Sequence, residues 1–498
     1  MLYQSTRNNN EQISASSAIL RGIAPDGGLY MLNSFEGLDF DWKKTLSMST
    51  LEIAEYVLST LFTDFSREEM KELVKKAYTG KFETDDLTPT VKVGDKYVLE
   101  LFRGPTSAFK DVALSMLPQL IIASRKKNQS PEDIVILTAT SGDTGKAALE
   151  GFHDVEGTKI IVFYPDAGVS KIQKAQMVTQ AGNNVCVCAV KGNFDDAQTG
   201  VKKIFAECEE KNLLEGTNAV LSSANSINIG RLAPQIVYYF KSYADLVAGE
   251  EIKAGDKVNF VVPTGNFGDI LAGYFAKCMG LPVDKLVCAS NANDVLTDFI
   301  NTGNYNRLRT FHKTISPSMD ILVSSNLERL LYLMSGCNAE EVAGYMEELK
   351  TKGEYTVSDS IKAALDKEFW AGCCDDSGTT ETIGKVYEMC NYLCDTHTAV
   401  AYNVAEKFQK ETGNTNPTIV LSTASPYKFA TAVSEAIGVE TSEDEFKVME
   451  NLNSKTGVAI PRGLSGLDKL PQLHKDVIEV EDMLDFVLGK VKEKTWTK

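Results

Sequence analysis

The sequence LFRGPTSAFKD at residues 101–111 decides how the rest of this chain is interpreted. It predicts the end of a strand, a Gly-Pro turn and the start of a helix that carries Lys110 in its first turn. A lysine directly after an apolar Ala-Phe pair can be partly desolvated, which would lower the pKa of its amine and free it for Schiff-base chemistry. A solvated lysine at a helix start is the more common arrangement, so the spacing alone leaves both interpretations open.

Short β-branched runs alternate with helical stretches on the C-terminal side of this segment. Buried strands are predicted at 133–137, 159–164, 184–190, 258–262 and 417–422. Residues 91–102 predict a pair of strands separated by a Gly-Asp turn. Continuous apolar strands that alternate with helices indicate a largely parallel α/β sheet covered on both faces. The late strand at 417–422 is expected to belong to the same sheet.

The chain has 498 residues, which at roughly 150 residues per domain predicts about three domains or lobes. Residues 1–88 predict a mostly helical N-terminal domain. Residues 89–440 predict the main core, with a smaller lobe at about 135–255 and a helical insertion at about 325–410. Residues 441–498 are charged and amphipathic, and we expect them to form a tail that packs on the core.

The net charge of −17 argues against a general affinity for nucleic acid or anionic membranes. A local cationic pocket for a small anionic substrate remains compatible with it. The N-terminus lacks the charged and apolar regions of a secretory signal, and no stretch reaches the roughly 18 apolar residues of a membrane helix. The ten cysteines are therefore expected to be reduced thiols of a cytoplasmic protein. Because no CxxC-type pair is present, no metal site is expected.

A second motif, PTGNFGD at residues 263–269, lies between the strand at 258–262 and a predicted helix at 270–279. Its glycines let backbone N–H groups approach an anion, and the helix N-terminus adds partial positive charge. The motif therefore predicts a phosphate-binding loop. It is neither a P-loop nor a dinucleotide fingerprint. A tight strand-to-helix turn with a packing role is the structural alternative.

Two further loops carry polar groups at predicted helix starts. Residues 138–145, TATSGDTG, offer hydroxyl and N–H groups that suit a carboxylate or phosphate oxygen. Residues 225–231, NSINIGR, combine amides with Arg231, whose guanidinium can clamp a phosphate. The alternatives are an N-cap with spare hydroxyls in the first loop and a solvated Arg231 in the second. His397 is a candidate helix-start residue near the site, and the four histidines form no metal-spaced pair.

Taken in order, these motifs resemble the threonine synthases along nearly the whole chain, in the longer bacterial and fungal form. The resemblance implies a pyridoxal-phosphate (PLP) dependent enzyme of fold type II, with a two-lobed α/β core, parallel-rich sheets and a helical N-terminal domain. The further matching blocks are Tyr3 to Arg7, Gly22 to Tyr30, Gly104 to Asp111, Pro263 to Pro282 and Pro317 to Arg329. The reaction implied is the conversion of O-phospho-L-homoserine and water to L-threonine and phosphate, by elimination followed by hydration.

The resemblance also implies roles for individual residues. Lys110 would hold the cofactor as a Schiff base and would then move protons. The cofactor phosphate would lie among Gly265, Asn266, Phe267, Gly268 and Asp269, and the pyridine nitrogen would face Thr423. The substrate carboxylate would be held by Thr140, Ser141, Asp143 and Thr144, and the substrate phosphate by Asn225, Ser226 and Arg231. The partner implied is a small-molecule substrate, with no nucleic acid or membrane, and the chain would be a monomer or a homodimer.

Four positions depart from the family pattern. Asn8 stands where glycine is usual, Arg103 replaces a common histidine, Thr396 replaces a usual proline and Ser425 replaces a frequent histidine. A related phospholyase that stops at 2-oxobutyrate and ammonia is therefore an alternative. A non-catalytic PLP-binding protein is another, although a binder needs no Schiff-base lysine.

Overall fold

The computed structural model describes residues 1–140, 142–167 and 169–493, without the side chain of Asp195. Its strands are β1 (Tyr3–Ser5), β2 (Tyr30–Leu32), β3 (Thr90–Val93), β4 (Lys96–Glu100), β5 (Asp133–Ala139), β6 (Thr158–Pro165), β7 (Val185–Lys191), β8 (Ala219–Ser222), β9 (Val258–Pro263), β10 (Val283–Ser290), β11 (Asn304–Asn306), β12 (Glu354–Thr356), β13 (Phe369–Cys373), β14 (Thr418–Ser422) and β15 (Asp476–Glu479).

The α-helices are α1 (Ala15–Arg21), α2 (Thr50–Leu61), α3 (Arg67–Tyr78), α4 (Lys110–Lys127), α5 (Asp143–Phe152), α6 (Lys171–Val178), α7 (Phe194–Glu210), α8 (Ile229–Leu232), α9 (Ile236–Ala248), α10 (Gly268–Cys278), α11 (Val295–Thr302), α12 (Leu327–Met334), α13 (Ala339–Thr351), α14 (Asp359–Glu368), α15 (Asp376–Cys390), α16 (Thr396–Thr412), α17 (Ala430–Ala436), α18 (Glu445–Thr456) and α19 (Met483–Lys492). Short 3₁₀ helices lie at Trp42–Ser47, Ala233–Gln235, Pro317–Met319, Pro426–Phe429, Leu467–Lys469 and Val480–Asp482.

The larger sheet has six strands in the order β13-β10-β9-β14-β4-β3, and all neighbours are parallel except the pair β3 and β4. That antiparallel pair confirms the strands predicted within 91–102. Ile419 of β14 is in register with Tyr97 of β4 on one side and with Phe260 of β9 on the other. The carboxyl ends of these three central strands therefore meet at one edge of the sheet.

The smaller sheet has five parallel strands in the order β15-β7-β6-β5-β8. It contains the predicted strands at 133–137, 159–164 and 184–190. The expectation that β14 shares a sheet with these strands is wrong, because β14 lies in the larger sheet. Alternation of strands with helices indicates parallel strands but does not say which strands are neighbours. The two sheets account for the two lobes of the predicted fold class.

The segment predicted to be helical at 325–410 contains α12 to α16, but it also supplies a strand to the larger sheet. Strand β13, with the sequence FWAGC, pairs in parallel with β10 and forms that sheet's edge. The strand is short and carries no Val, Ile or Thr, so its sequence lacks the β-branched signal that identified the other strands.

The N-terminal helices are fixed by local capping and by one long-range ion pair. Ser66 caps helix α3, since its hydroxyl accepts from the Glu69 N–H while the Glu69 carboxylate accepts from the Ser66 N–H. Arg7 donates to Glu328 of α12, with Nη2 and Oε2 2.8 Å apart. The first residues of the chain are therefore anchored to the helix that follows the loop at 316–326.

Within the described ranges, none of the helices is both long and apolar enough to cross a lipid bilayer. The ten cysteines all carry free thiols. No group of three or more acidic, histidine or cysteine side chains among the described residues has the arrangement of a metal site.

Candidate active site

Three loops that carry predicted site residues lie at the carboxyl edge of the larger sheet, and the loops at 138–145 and 225–231 follow strands β5 and β8 of the smaller sheet. The lysine loop follows β4, Thr423 follows β14 and the phosphate-loop motif follows β9. The Phe109 N–H donates to the Thr423 carbonyl at 2.8 Å, which ties the first two loops together. Open α/β sheets bind their ligands at this edge, outside the carboxyl ends of the strands.

Lys110 is the first residue of α4, and its side chain is only 12% exposed. Burial lowers the pKa of its amine from 10.5 to about 8. The carboxyl groups of Asp143 and Asp111 favour the ammonium form and partly oppose this shift, whereas the cations of Arg231 and Lys428 add to it. Near neutral pH, Lys110 is therefore an uncharged, nucleophilic amine in a larger fraction of molecules than a solvated lysine.

The lysine loop is held in a strained but well-bonded conformation. Ser107 has a φ of 60°, in the left-handed region, and its carbonyl accepts from the Ser425 N–H at 3.1 Å. Asp111 accepts from the N–H and the hydroxyl of Thr106, at 2.9 and 2.5 Å. A Cβ at Gly104 would lie 2.5 Å from the Asp111 side chain, so only glycine fits there. Left-handed backbone at a non-glycine residue is typical of functional loops.

The loop Gly265–Gly268 presents unbonded backbone N–H groups at the N-terminus of α10. None of these N–H groups donates to another residue in the described part of the chain. Phe267 has a φ of 63°, which turns the backbone sharply into the helix. A Cβ at Gly265 would lie 2.6 Å from the carbonyl oxygen of Ser318, so the loop requires glycine at that position. Free N–H groups at a helix start form an anion-binding site.

The Asp269 carboxylate accepts hydrogen bonds from two tyrosine hydroxyls. Oδ1 accepts from the hydroxyls of Tyr238 and Tyr239, at 2.5 and 3.0 Å, while Oδ2 is buried and finds no partner among the described residues. Burial raises the pKa of this carboxyl to about 6. Only the backbone N–H of Asp269 thus remains for a phosphate, since the side chain is already bonded.

A segment before α12 supports the phosphate-loop motif. The Ser324 hydroxyl donates to the Gly265 carbonyl at 2.9 Å, and the Asn326 N–H donates to the Asn266 carbonyl at 3.1 Å. Arg329 in turn donates to the Asn326 side chain at 2.6 Å. This support was not predicted, although the block Pro317 to Arg329 was recognised as resembling the family.

Arg231 is buried, with 5% exposure, and no carboxylate of the described residues pairs with it. Its Nη1 donates to the Ala224 carbonyl at 2.5 Å, and burial lowers the pKa of the guanidinium to about 10. Ser226 lies beside the phosphate-loop motif, 3.9 Å from the position of a Cβ at Gly268. Asn225 is exposed and Ser226 is half-buried. A buried cation without a counter-ion is suited to an anionic ligand.

In the loop before α5, one predicted substrate-binding hydroxyl already accepts hydrogen bonds from the backbone. The Thr140 hydroxyl oxygen accepts from the N–H groups of Gly142 and Gly145, at 3.0 and 2.9 Å. Thr144 is half-buried. Ser141 lies outside the described residues, so its predicted contact with the substrate carboxylate stays a prediction.

Asp143 is part of a buried ion pair that sequence reasoning missed. Lys428 Nζ lies 2.6 Å from Asp143 Oδ1, and Gln173 Nε2 donates to the same oxygen at 2.8 Å. Burial opposes ionisation of Asp143, but the ammonium groups of Lys428 and Lys110 outweigh it and hold the carboxyl pKa well below its usual range. The one available signal was the position of Lys428, five residues after Thr423.

Thr423 directly follows β14, and His397 lies in the first turn of α16. Thr423 is buried, and its hydroxyl bonds to no other described residue. His397 Nδ1 lies 2.7 Å from Asp395 Oδ2, while its Nε2 accepts from the Ser318 N–H at 3.1 Å, which assigns the proton to Nδ1. His397 therefore contacts the loop that packs on Gly265.

The two departures from the family pattern near the site are both buried. Thr396 is the first residue of α16, and its hydroxyl lies 3.5 Å from His397 Nδ1. Ser425 caps the 3₁₀ helix Pro426–Phe429, since its hydroxyl accepts from the Tyr427 N–H at 3.3 Å. Each hydroxyl thus has a local structural partner.

Three family models match successive parts of the chain. They are described as "Threonine synthase N terminus" at residues 2–78, "Pyridoxal-phosphate dependent enzyme" at 85–364 and "Threonine synthase, C-terminal" at 398–486. The threonine synthase of Saccharomyces cerevisiae is 40% identical over 467 residues, which cover 88% of this chain and 89% of that protein. The chain belongs to the threonine synthase family. The resemblance inferred from the motifs is thereby confirmed.

A crystal structure of PLP-bound threonine synthase from Brucella melitensis superposes with a TM-score of 0.87 at 36% identity, covering 99% of this chain and 100% of that one. This likeness confirms the predicted fold class. Human threonine synthase-like 1 is 36% identical over 482 residues, which cover 93% of this chain but only 62% of that protein. The chain therefore spans less than two thirds of the length of this threonine synthase relative.

Proposed function

We propose that the protein is a threonine synthase that uses PLP to convert O-phospho-L-homoserine and water to L-threonine and phosphate. The observation that carries the proposal is the position of Lys110, whose amine has a pKa of about 8 at the sheet edge where the phosphate loop begins. A buried nucleophilic lysine beside two anion-binding groups meets the needs of a phosphorylated cofactor and a phosphorylated substrate.

The described residues fit PLP. The unbonded N–H groups of the loop Gly265–Gly268 provide donors for the cofactor phosphate, and a Lys110 amine of lowered pKa suits its carbonyl group. Thr423 follows β14 with a free hydroxyl for the pyridine nitrogen. When bound, PLP supplies an electron sink that acidifies the protons near the substrate's amino group.

The protein's residues then hold the substrate and move its protons. Arg231, with Asn225 and Ser226, binds the substrate phosphate, and the hydroxyl groups of Thr140, Ser141 and Thr144 bind the substrate carboxylate. Lys110 Nζ accepts and returns protons as a general base, a role for which a pKa near the working pH is best. The buried Arg231 guanidinium stabilises the negative charge on the departing phosphate.

The test is product analysis on the purified, PLP-loaded chain. Incubation with O-phospho-L-homoserine followed by ¹H and ³¹P NMR is expected to give threonine and phosphate in equal amounts. Phosphate accompanied by 2-oxobutyrate and ammonia would identify a phospholyase and overturn the proposal. Absence of turnover, with PLP bound, would indicate a non-catalytic PLP-binding protein.

We further propose that the protein's partner is the small-molecule substrate O-phospho-L-homoserine, with no nucleic acid or membrane, and that the chain acts as a monomer or a homodimer. The acidic net charge of −17 supports the absence of a nucleic-acid partner. Light scattering after size-exclusion chromatography measures the oligomeric state.

A further inference from the structure

Lys428 is a charged group at the site that neither the predicted motifs nor the proposed reaction uses. Its side chain is 0% exposed and lies in the 3₁₀ helix Pro426–Phe429. Besides its contact with Asp143, its ammonium donates to the Thr106 carbonyl at 3.1 Å. Breaking a buried ion pair is strongly destabilising, and such a pair contributes little net stability when intact, so its presence beside Lys110 points to a role in the site.

We propose that Lys428 is a positioning residue that holds Asp143 away from Lys110 and thereby keeps the Lys110 amine free to react. The inference deepens the proposed function, on which it rests, because it concerns the lysine that would hold the cofactor. In this inference Asp143 interacts with Lys428 and Lys110, whereas the family resemblance implies that it binds the substrate carboxylate.

The geometry of Asp143 supports this assignment. Its Oδ1 is taken by Lys428 and Gln173, at 2.6 and 2.8 Å. Its Oδ2 faces Lys110 at 4.0 Å, which is beyond hydrogen-bond distance. A Cβ at Gly142 would lie 2.4 Å from the Gln173 side chain. Glycine at position 142 therefore leaves the space that Gln173 needs to reach the Asp143 carboxylate. The carboxylate is thus fixed from the side opposite Lys110.

Four charged groups face the Lys110 amine. Asp143 and Asp111 attract a proton to it, and Arg231 and Lys428 repel one. Loss of the Lys428 charge removes one repulsion and also releases Oδ1 of Asp143, which is then free to bond to Lys110. Both effects favour the unreactive ammonium form.

The experiment measures the reactivity of the Lys110 amine in the full-length chain freed of PLP. Trace acetic anhydride is added between pH 6 and pH 10, and acetylation of the peptide that contains Lys110 is quantified by mass spectrometry. No substrate is present, so the result does not depend on whether threonine is formed. The variants are Lys428→Met, Asp143→Asn and the double variant, and Lys146→Met is the matched control.

Lys428→Met is expected to raise the midpoint of acetylation by about one pH unit. Asp143→Asn is expected to lower it, because Lys110 then faces Lys428 without the carboxylate. The double variant is expected to lie between the two. A loss of packing would shift the acetylation midpoints of Lys428→Met and Asp143→Asn in the same direction. Opposite shifts therefore indicate an effect of charge.

Lys146 lies on the same helix as Asp143 and is 8% exposed, but it pairs with Glu150. Lys146→Met is therefore expected to leave the midpoint unchanged. An unchanged or lowered midpoint in Lys428→Met would overturn the proposal, as would an equal rise in Lys146→Met. If Lys428→Met does not fold, Asp143→Asn alone decides, because a raised midpoint in that variant contradicts the proposal.

Discussion

At the scale of single residues, burial sets the chemistry of the site. Lys110, Arg231 and Lys428 are three basic residues of one acidic chain, and among the described residues only Lys428 has a carboxylate at hydrogen-bond distance. Desolvation lowers the pKa values of Lys110 and Arg231, which leaves one free amine and one cation without a counter-ion. These are the two groups that a carbonyl cofactor and an anionic substrate require.

Lys110→Ala is expected to abolish turnover while leaving the fold intact, because the helix α4 begins equally well with alanine. Circular dichroism and the melting temperature check the fold, and NMR of the products checks turnover. Full activity in this variant would contradict the proposed mechanism.

Arg231→Gln is expected to reduce kcat/KM for O-phospho-L-homoserine by about 100-fold, since charge-assisted hydrogen bonds are worth about 1.5–3 kcal/mol each. Steady-state kinetics measure the loss. The affinity for PLP, followed by absorbance, serves as the control and is expected to change little. An equal loss of PLP affinity would show that Arg231 serves the cofactor instead.

Asp269 is expected to make the stability depend on pH. Burial raises its pKa to about 6, so between about pH 4 and 6 the folded state binds a proton that the unfolded state has lost, and the free energy of unfolding falls as pH rises through this window. Asp269→Asn is expected to reduce the difference in the free energy of unfolding between pH 4.5 and 7 by on the order of 1–2 kcal/mol. Urea midpoints at pH 4.5 and 7 measure the slope, and an unaltered slope would refute the shift. Burial also raises the pKa of Asp111 to about 6, so Asp111 still contributes to the pH dependence of stability in this variant.

At the scale of elements, close backbone contacts fix the shape of the phosphate loop. Ser318 lies against Gly265 from one side, and Ser324 and Asn326 bond to the loop carbonyls. The Ser318 N–H in turn donates to His397 Nε2. The loop is thus rigid before a phosphate arrives, which reduces the entropy cost of binding.

Gly265→Ala is expected to weaken PLP binding at least tenfold, because its Cβ would lie 2.6 Å from the Ser318 carbonyl and the loop must move. Equilibrium dialysis measures the affinity. Gly344→Ala is the matched control, since no atom lies within 4 Å of a Cβ at that position. Equal PLP affinity in the two variants would show that the loop tolerates a side chain.

The strands and motifs could be predicted from the sequence better than the pairing of strands and the contacts between distant residues. β-branched runs identified β5, β6, β7, β9 and β14 because buried parallel strands are continuously apolar. The strand β13 was missed because FWAGC carries no such signal. The pairing of Lys428 with Asp143 could not be predicted, because it joins residues that are far apart in sequence and Lys428 has no motif of its own.

At the scale of the whole molecule, the end of the described chain completes the smaller lobe. Val477 of β15 is paired with Ala189 of β7, and Met483 and Val487 of α19 are buried against the same sheet. The boundaries predicted at 1–88, 89–440 and 441–498 stay a prediction, which limited proteolysis measures.

A chain that ends at residue 440 is expected to melt at least about 10 °C lower than the full chain, or to aggregate, because it exposes the apolar face that α19 covers. Differential scanning calorimetry measures the change. Val487→Ala in the full chain is expected to produce a smaller drop. A truncated chain as stable as the full one would show that the tail is dispensable for the fold.

The contacts between residues 106–109 and residues 423–428 also set when the site can exist during synthesis. Phe109 bonds to Thr423 and Thr106 bonds to Lys428, across more than 300 positions of sequence. While a ribosome is still translating the intervening chain, Lys110 has been made but Thr423 and Lys428 have not. The hydrogen bonds that fix the lysine loop are thus completed only after residues 423–428 have left the ribosome. A translation product that stops before residue 423 therefore lacks the contacts that hold the lysine loop in place.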